Sequence, residues 1–271
     1  MSVLLQISDP HFGTEQLPVV EALAALSRQQ RPDLVVLSGD ITQRATQEQF
    51  RAARTFMDRL DVPYLAIPGN HDIALFDLRA RLMNPYSQFR RAFGDVLEPL
   101  HDAPDLLVLC VNTTRWYRHV NGEVSVAQVD RAAAALRQAR AGQLRVVVVH
   151  QPVAVIRAAD AHDRLRGYAL ALPRWAEAGC DIVMGGHIHL PYVAALPNLA
   201  RPMWVVQAGT SVSSRTREGI PNSVNIVRCG EDAPAGCSVI EQWDYSAALD
   251  AFVRSTVTEI TAVQQTHAFC K

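Results

Sequence analysis

The sequence predicts an α/β fold: a helix-covered sheet over the first two-thirds of the chain, joined to a second sheet of short antiparallel strands. Three observations carry that reading. Up to about residue 190, short apolar runs alternate with segments whose apolar residues recur at helical spacing. Beyond it the helical spacing disappears, and short β-rich runs are divided by Pro, Asn and Gly. Hydrophobic residues make up 49% of the 271 positions, enough for a sizeable core.

VLLQIS (3–8) is a β-rich run ending at Asp9, and residues 17–29 follow with Leu17, Val20, Leu23, Ala24 and Leu26 near helical spacing. LVVLSGD (34–40) is a second strand. Residues 46–60 form a second amphipathic helix with Phe50, Ala53, Phe56, Met57 and Leu60 on one face. YLAIPGNHD (64–72) is a third strand running into a loop. Two further strands, LLVLCV (106–111) and LRVVVVH (144–150), enclose an alanine-rich helix at about 127–140, and a helix near 169–178 leads into CDIVM (180–184). Short, nearly continuous apolar strands imply a sheet covered by helices. After residue 190, YVAAL, MWVVQAG, SVNIV and VIEQWDY read as the antiparallel second sheet. The last twenty residues fit strand or helix equally. No repeat, low-complexity tract or linker interrupts the chain. A single domain over 1–271 is therefore expected, with 1–190 its βαβ-rich part and 191–271 mostly antiparallel strands completing the second sheet.

The formal net charge of −1 provides no broad electrostatic footprint for duplex nucleic acid. The opening MSVLLQISDPH lacks the layout of a secretory signal, and no apolar run reaches the length of a membrane span. The five cysteines are odd in number and without CxxC spacing; Cys229 and Cys237 flank the turn-rich GEDAPAG, where a hairpin disulfide is conceivable, and Cys110 and Cys180 read as buried thiols. A cytoplasmic protein is expected.

The chemistry is concentrated where strands end. VLLQIS runs into Asp9 and His11, LVVLSG into Asp40, YLAIPG into Asn70, His71 and Asp72, RVVVV into His150, and DIVMGG into His187 and His189. In open α/β sheets ligands bind beyond the carboxyl ends of the strands. His187 and His189, two apart in an extended segment, point the same way. Singly, Asp9 reads as a helix cap and Asn70 as a turn residue; together, this many metal-type ligands on one edge do not.

The ordered set D-x-H, G-D, G-N-H-D, H and G-H-x-H, from residue 9 to residue 189, resembles the calcineurin-like metallophosphoesterase superfamily. That resemblance implies a two-sheet sandwich flanked by helices (αββα) with a dinuclear metal centre at the carboxyl ends of the strands. Asp9, His11, Asp40 and His189 would hold one ion; Asp40, Asn70, His150 and His187 would hold the other, with Asp40 bridging. Mixed N/O ligands suit Mn, Fe, Zn or Co as divalent ions, with Mn or Fe favoured. The implied chemistry is in-line attack of a metal-bridging hydroxide on a phosphate ester. His71 would serve the leaving group, with Asp72 orienting it and holding its charge.

The substrate is less plainly written. NTTRWYRHV (112–120) offers Arg115 and Arg118 to grip a phosphate and Trp116 or Tyr117 to stack on a base. The block 209–225 adds Arg215, Arg217, Asn222 and Asn225, as a rim or as a plain connection between strands. Overall length, the LxIPGNHD phrase and the late GT…R…PNS block look similar to bacterial class III cyclic-nucleotide phosphodiesterases, which often read H-H-P where this chain has His150-Gln151-Pro152. A small phosphate-ester substrate, a cyclic nucleotide foremost, is the expectation, and homo-oligomers are compatible with it. The alternatives are a nucleotide-linked lipid-precursor pyrophosphatase, for which 73–93 would be a rather basic cap; another phosphodiesterase or phosphomonoesterase; and a non-catalytic scaffold, which would have lost ligands.

Overall fold

The apolar runs become two six-stranded sheets in a computed structural model that describes residues 2–74, 78–118, 120–230 and 237–261. The strands are β1 (Ser2–Ile7), β2 (Leu34–Ser38), β3 (Tyr64–Ile67), β4 (Leu100–Asp102), β5 (Leu106–Cys110), β6 (Leu144–Val148), β7 (Ile182–Gly185), β8 (Tyr192–Ala195), β9 (Trp204–Gln207), β10 (Ser223–Cys229), β11 (Cys237–Ser246) and β12 (Ala251–Thr261). The helices are α1 (Leu17–Gln30), α2 (Gln47–Leu60), α3 (Leu78–Met83), α4 (Ser87–Phe93), α5 (Val126–Arg137) and α6 (Tyr168–Glu177). One sheet has the order β12-β11-β10-β1-β2-β3 and the other β4-β5-β6-β7-β9-β8.

Burial explains the layering. Every residue of β2, β5 and β6 is buried, so both faces of these strands need cover. Leu4, Val36, Val108, Val146, Ile182 and Val206 fill the space between the sheets. Val19, Leu23, Phe50, Phe56 and Phe89 seat α1, α2 and α4 on the outside of the first sheet. Val129, Leu136, Leu172 and Trp175 seat α5 and α6 on the outside of the second. Helices α2 and α5 begin where side chains satisfy their free amides: Thr46 accepts from the Gln49 N–H (3.3 Å) at α2, and Ser125 and Gln128 close a capping box at α5.

The tail departs from expectation. Strands after residue 190 do not form a sheet of their own but finish both. β8 and β9 complete the second sheet, with β9 running parallel to β7, while β10 pairs antiparallel with β1 and carries β11 and β12 outward. The buried end of MWVVQ suits an interior parallel strand, and β1 would otherwise expose an edge. The last twenty residues are strand as far as Thr261; 262–271 lie outside the described residues. Cys229 is a buried free thiol, pushed up to about 12 by burial, and the Cys237 side chain lies outside the described residues. Among the described residues no helix is long and apolar enough to cross a membrane.

Candidate metal centre

The parallel strands of both sheets end on the same side of the sandwich. β1 hands on to Asp9 and His11, β2 to Asp40, β3 to Asn70, β6 to His150, and β7 to His187 and His189. Their donor atoms gather in three groups, each within 4.8 Å: Asp9, His11 and His189; His11, Asp40 and His71; Asp40, His150 and His187. His11 Nε2 lies 3.1 Å from His189 Nε2 and 3.8 Å from Asp40 Oδ2. His150 Nε2 lies 3.2 Å from both Asp40 Oδ1 and Asn70 Oδ1. Asp40 thus stands between two clusters, Asp9, His11 and His189 on one side and His150 and His187 on the other.

The backbone is bent to achieve this. Asp9 (φ 49°), His11 (43°), Asp40 (47°), His187 (75°) and His189 (52°) all occupy the left-handed region, uncommon for residues with a Cβ. Each such residue costs about 1–3 kcal/mol, comparable with the ~1.5–3 kcal/mol contributed by one fully buried apolar side chain. The packed sandwich can therefore hold the strain at the strand ends. Two glycines make room for it. A Cβ on Gly69 would strike the Asp40 amide and carboxylate, and one on Gly186 would strike Ser8 Oγ and Asp9 Oδ2. That is the physical content of the glycines in G-N-H-D and G-G-H-I-H.

Carbonyl oxygens orient the rings. His150 Nδ1–H donates to Ser38 O (2.9 Å), His189 Nδ1–H to Arg215 O (2.6 Å) and His71 Nδ1–H to Gln43 O (2.9 Å). A carbonyl only accepts, so the proton is fixed on Nδ1 and Nε2 of each ring faces the centre. His187 differs: its Nε2 is 3.7 Å from Asp163 Oδ1, and its Nδ1 is buried without a hydrogen-bond partner. A buried imidazole nitrogen with no protein partner, beside the buried carboxylates of Asp9 and Asp40, is what a cation site requires. The N/O donor set contains no thiolate and fits Mn, Fe, Zn or Co.

Electrostatics agree. Burial would raise the Asp40 carboxyl, but the charge and hydrogen bond of His150, with His71 and His11, hold it well below the usual carboxylate range. Burial pushes His11 down to about 3, leaving it neutral and ready to ligate. Burial would also depress His150, but Asp40 and Asp9 outweigh it and hold the imidazole at about 9. A cation arriving at about pH 7 must therefore displace a proton, with affinity rising from pH 7 towards 9 and flattening above that. Calorimetry in two buffers of different ionisation enthalpy should show proton release on Mn²⁺ binding; a buffer-independent heat would contradict the assignment of His150.

Other expected site residues are redirected. Asp72 does not orient His71. Its carboxylate accepts from the Ile41 N–H (3.0 Å), the Thr42 N–H (2.8 Å) and hydroxyl (2.8 Å), and the Gly69 N–H (2.8 Å). Asp72 thus ties the turn after β3 to the loop after β2, and burial with the nearby charge of Asp40 raises it to about 6. Arg115 is spent on its own loop and on the first turn of α5, donating to Asn112 O, Thr114 O and Gln128 Oε1. Trp116 is exposed, and its carbonyl accepts from Arg81 Nε (2.7 Å). Arg215 does reach the centre: its Nη1 lies 3.0 Å from Gln43 Oε1, 3.2 Å from His71 Nε2 and 3.3 Å from His11 Nδ1. Arg217 instead braces Asp160 and the Ile188 carbonyl. Gln151 is buried, with Thr113 donating to its Oε1 (2.5 Å) and its Nε2 donating to Val120 O (3.3 Å), so it holds Thr113 and Val120. Gln43 and Asp163 were not anticipated; no motif or periodicity marks either one.

The family profile described as calcineurin-like phosphoesterase matches residues 2–191. The probable glycerophosphodiester phosphodiesterase GpdQ of Arcobacter nitrofigilis is 32% identical over 83 residues, covering 27% of this chain and 30% of that protein. A probable cyclic nucleotide phosphodiesterase of Synechococcus is 31% identical over 78 residues, covering 26% of this chain and 31% of that protein. The matched stretches therefore span under a third of these curated relatives. A dimetal phosphatase from Danio rerio shares the fold with a TM-score of 0.70 at 13% identity, over 97% of this chain and 99% of that one. A purple acid phosphatase from yellow lupin shares it at 0.67 and 11% identity, over 96% and 53%.

Proposed function

The chain belongs to the calcineurin-like phosphoesterase family, and from that membership we propose that it is a phosphodiesterase with a dinuclear centre, acting on a small nucleotide-type diester such as a 3′,5′-cyclic nucleotide. The observation that carries this reading is the position of Asp40 between the cluster of Asp9, His11 and His189 and the cluster of His150 and His187, with Asn70 beside His150. Asp40 would be shared between two divalent cations, Mn or Fe foremost. When bound, the pair supplies Lewis acidity and an activated water for in-line displacement.

The chain's own residues do the rest. Arg215 points its guanidinium into the same space as His71 and His11 and would hold a non-bridging phosphate oxygen. His71, its Nδ1–H held by Gln43 O, presents Nε2 to the space beside Arg215, and to protonate the departing oxygen from there it would carry a second proton on Nε2, as the imidazolium. The two curated sequence relatives named above, both diesterases by name, support the diester. A cytoplasmic site of action is part of the proposal, supported by the free thiols of Cys110, Cys180 and Cys229.

The test is the ester preference of Mn²⁺-loaded protein. Bis(p-nitrophenyl) phosphate should be cleaved with higher kcat/KM than p-nitrophenyl phosphate, because a monoanionic diester is satisfied by the metal pair. Arg215 favours a second reading, a phosphomonoesterase, since a dianion needs positive charge at its third oxygen. A clear reversal of the preference, abolished by Arg215→Ala, would establish that reading instead.

A further inference from the structure

The geometry points to a second functional surface: a cationic, apolar-tipped lip beside the centre that docks on an anionic phospholipid surface. It stands apart from the question of which ester is hydrolysed. Two segments build the lip, α3 with α4 (78–93) and the loop 112–118 with Val120. Arg81 clamps them together, its Nε donating to Trp116 O (2.7 Å), Nη2 to Arg118 O (2.9 Å) and Nη1 to Ala74 O (3.3 Å). Tyr86 adds a hydroxyl bond to Thr114 O (3.2 Å). Ala74 closely follows Asp72, so the lip borders the turn that carries His71.

Beyond these clamps the apolar side chains face solvent. Leu82 is 61% exposed, Met83 86%, Trp116 45%, Tyr117 54% and Val120 41%. Scattered exposed apolar residues need no explanation, but a group on two segments clamped together does. The same segments carry arginines and no acid, in a chain whose net charge is −1. Arg118 is paired with Glu123 (2.8 Å) and Arg115 serves its own loop. Among the described residues, no carboxylate pairs with Arg81 or with the exposed Arg90 and Arg91.

Chemistry selects the partner. A single nucleic-acid strand would use the Trp116 and Tyr117 rings, but Leu82, Met83 and Val120 offer no face for a base. A second copy in an isologous contact would set the acid-free arginines against themselves. A bilayer rich in anionic phospholipid uses both features: aliphatic and Trp/Tyr side chains enter the headgroup boundary, and arginines meet lipid phosphates.

The experiment is co-sedimentation of the full chain with vesicles of phosphatidylglycerol and phosphatidylcholine, against vesicles of phosphatidylcholine alone, at physiological ionic strength. Binding should require phosphatidylglycerol. Arg90→Gln and Arg91→Gln should each weaken it about fivefold, the scale of one basic residue near an anionic surface. The double variant Leu82→Asp/Met83→Asp should reduce it to the phosphatidylcholine level, with metal content and thermal midpoint unchanged. Absence of binding, equal binding to both vesicles, or variants that bind as the parent does would each overturn the proposal. So would a dimer in sedimentation velocity that Leu82→Asp/Met83→Asp dissociates, or an oligonucleotide complex lost in Trp116→Ala alone.

Discussion

Asp40→Ala should leave the protein unable to retain either metal and should lower kcat on any phosphate ester by at least about 10³-fold, the scale of a lost Lewis acid worth several kcal/mol. Among the described residues no other carboxylate belongs to two of the candidate ligand groups. Asp40 reaches His11 across 3.8 Å on one side and His150 across 3.2 Å on the other, and it also accepts the His71 N–H at 2.8 Å. Removing it takes a ligand from both clusters and the acceptor that holds the His71 turn. It also removes the chief charge holding His150 up at about 9, so any residual Mn²⁺ binding should release fewer protons than in the parent. Asp9→Ala touches one cluster and should lower the metal content by about one ion per chain, the comparison that separates a shared ligand from an ordinary one. Metal analysis of purified variants reads both directly. An Asp40→Ala protein that keeps two metals per chain would remove Asp40 from the shared position.

What could be read in advance follows from what is local. Asp9, Asp40, Asn70, His150 and His187 each close an apolar run, so strand and ligand were visible in the same short stretch, and the layered α/β class followed from the same runs. The partners that tune them were not visible, because Ser38, Gln43 and Arg215 act through backbone carbonyls that any residue possesses. Asp72 was misread through adjacency. Asn70–Asp72 is a 3₁₀ turn, in which successive residues point about a third of a turn apart, so the Asp72 carboxylate swings back to Gly69 rather than towards His71. Arg115 was misread because its partner, Gln128, belongs to the capping box of a helix that starts later in the chain. The split of the tail between two sheets was not legible either. β9 and β10 have similar local patterns, and only long-range pairing with β7 and β1 distinguishes them.

His71→Ala should keep both metals and lose rate in a way that depends on the leaving group. The ring stands edge-on to His11 at 4.9 Å between centroids, is anchored at Nδ1 by Gln43 O, and meets Arg215 Nη1 at its outward Nε2. That leaves Nε2 facing the space where a phosphate gripped by Arg215 would sit. If the imidazolium form, with a proton on each ring nitrogen, gives its Nε2 proton to the departing alkoxide, the loss should be about 10²–10⁴-fold for a ribose alkoxide leaving from a cyclic nucleotide. It should be much smaller for p-nitrophenolate, which departs readily without a proton. His187→Ala and His189→Ala should behave otherwise, lowering metal occupancy and harming both substrates alike. The geometry supplies a rival, since a His71 ring nitrogen also falls within 4.8 Å of donor atoms of His11 and Asp40. Metal stoichiometry decides between the two. Equal losses on both substrates, together with a lost ion, would make His71 a ligand and leave the leaving group to Arg215 alone.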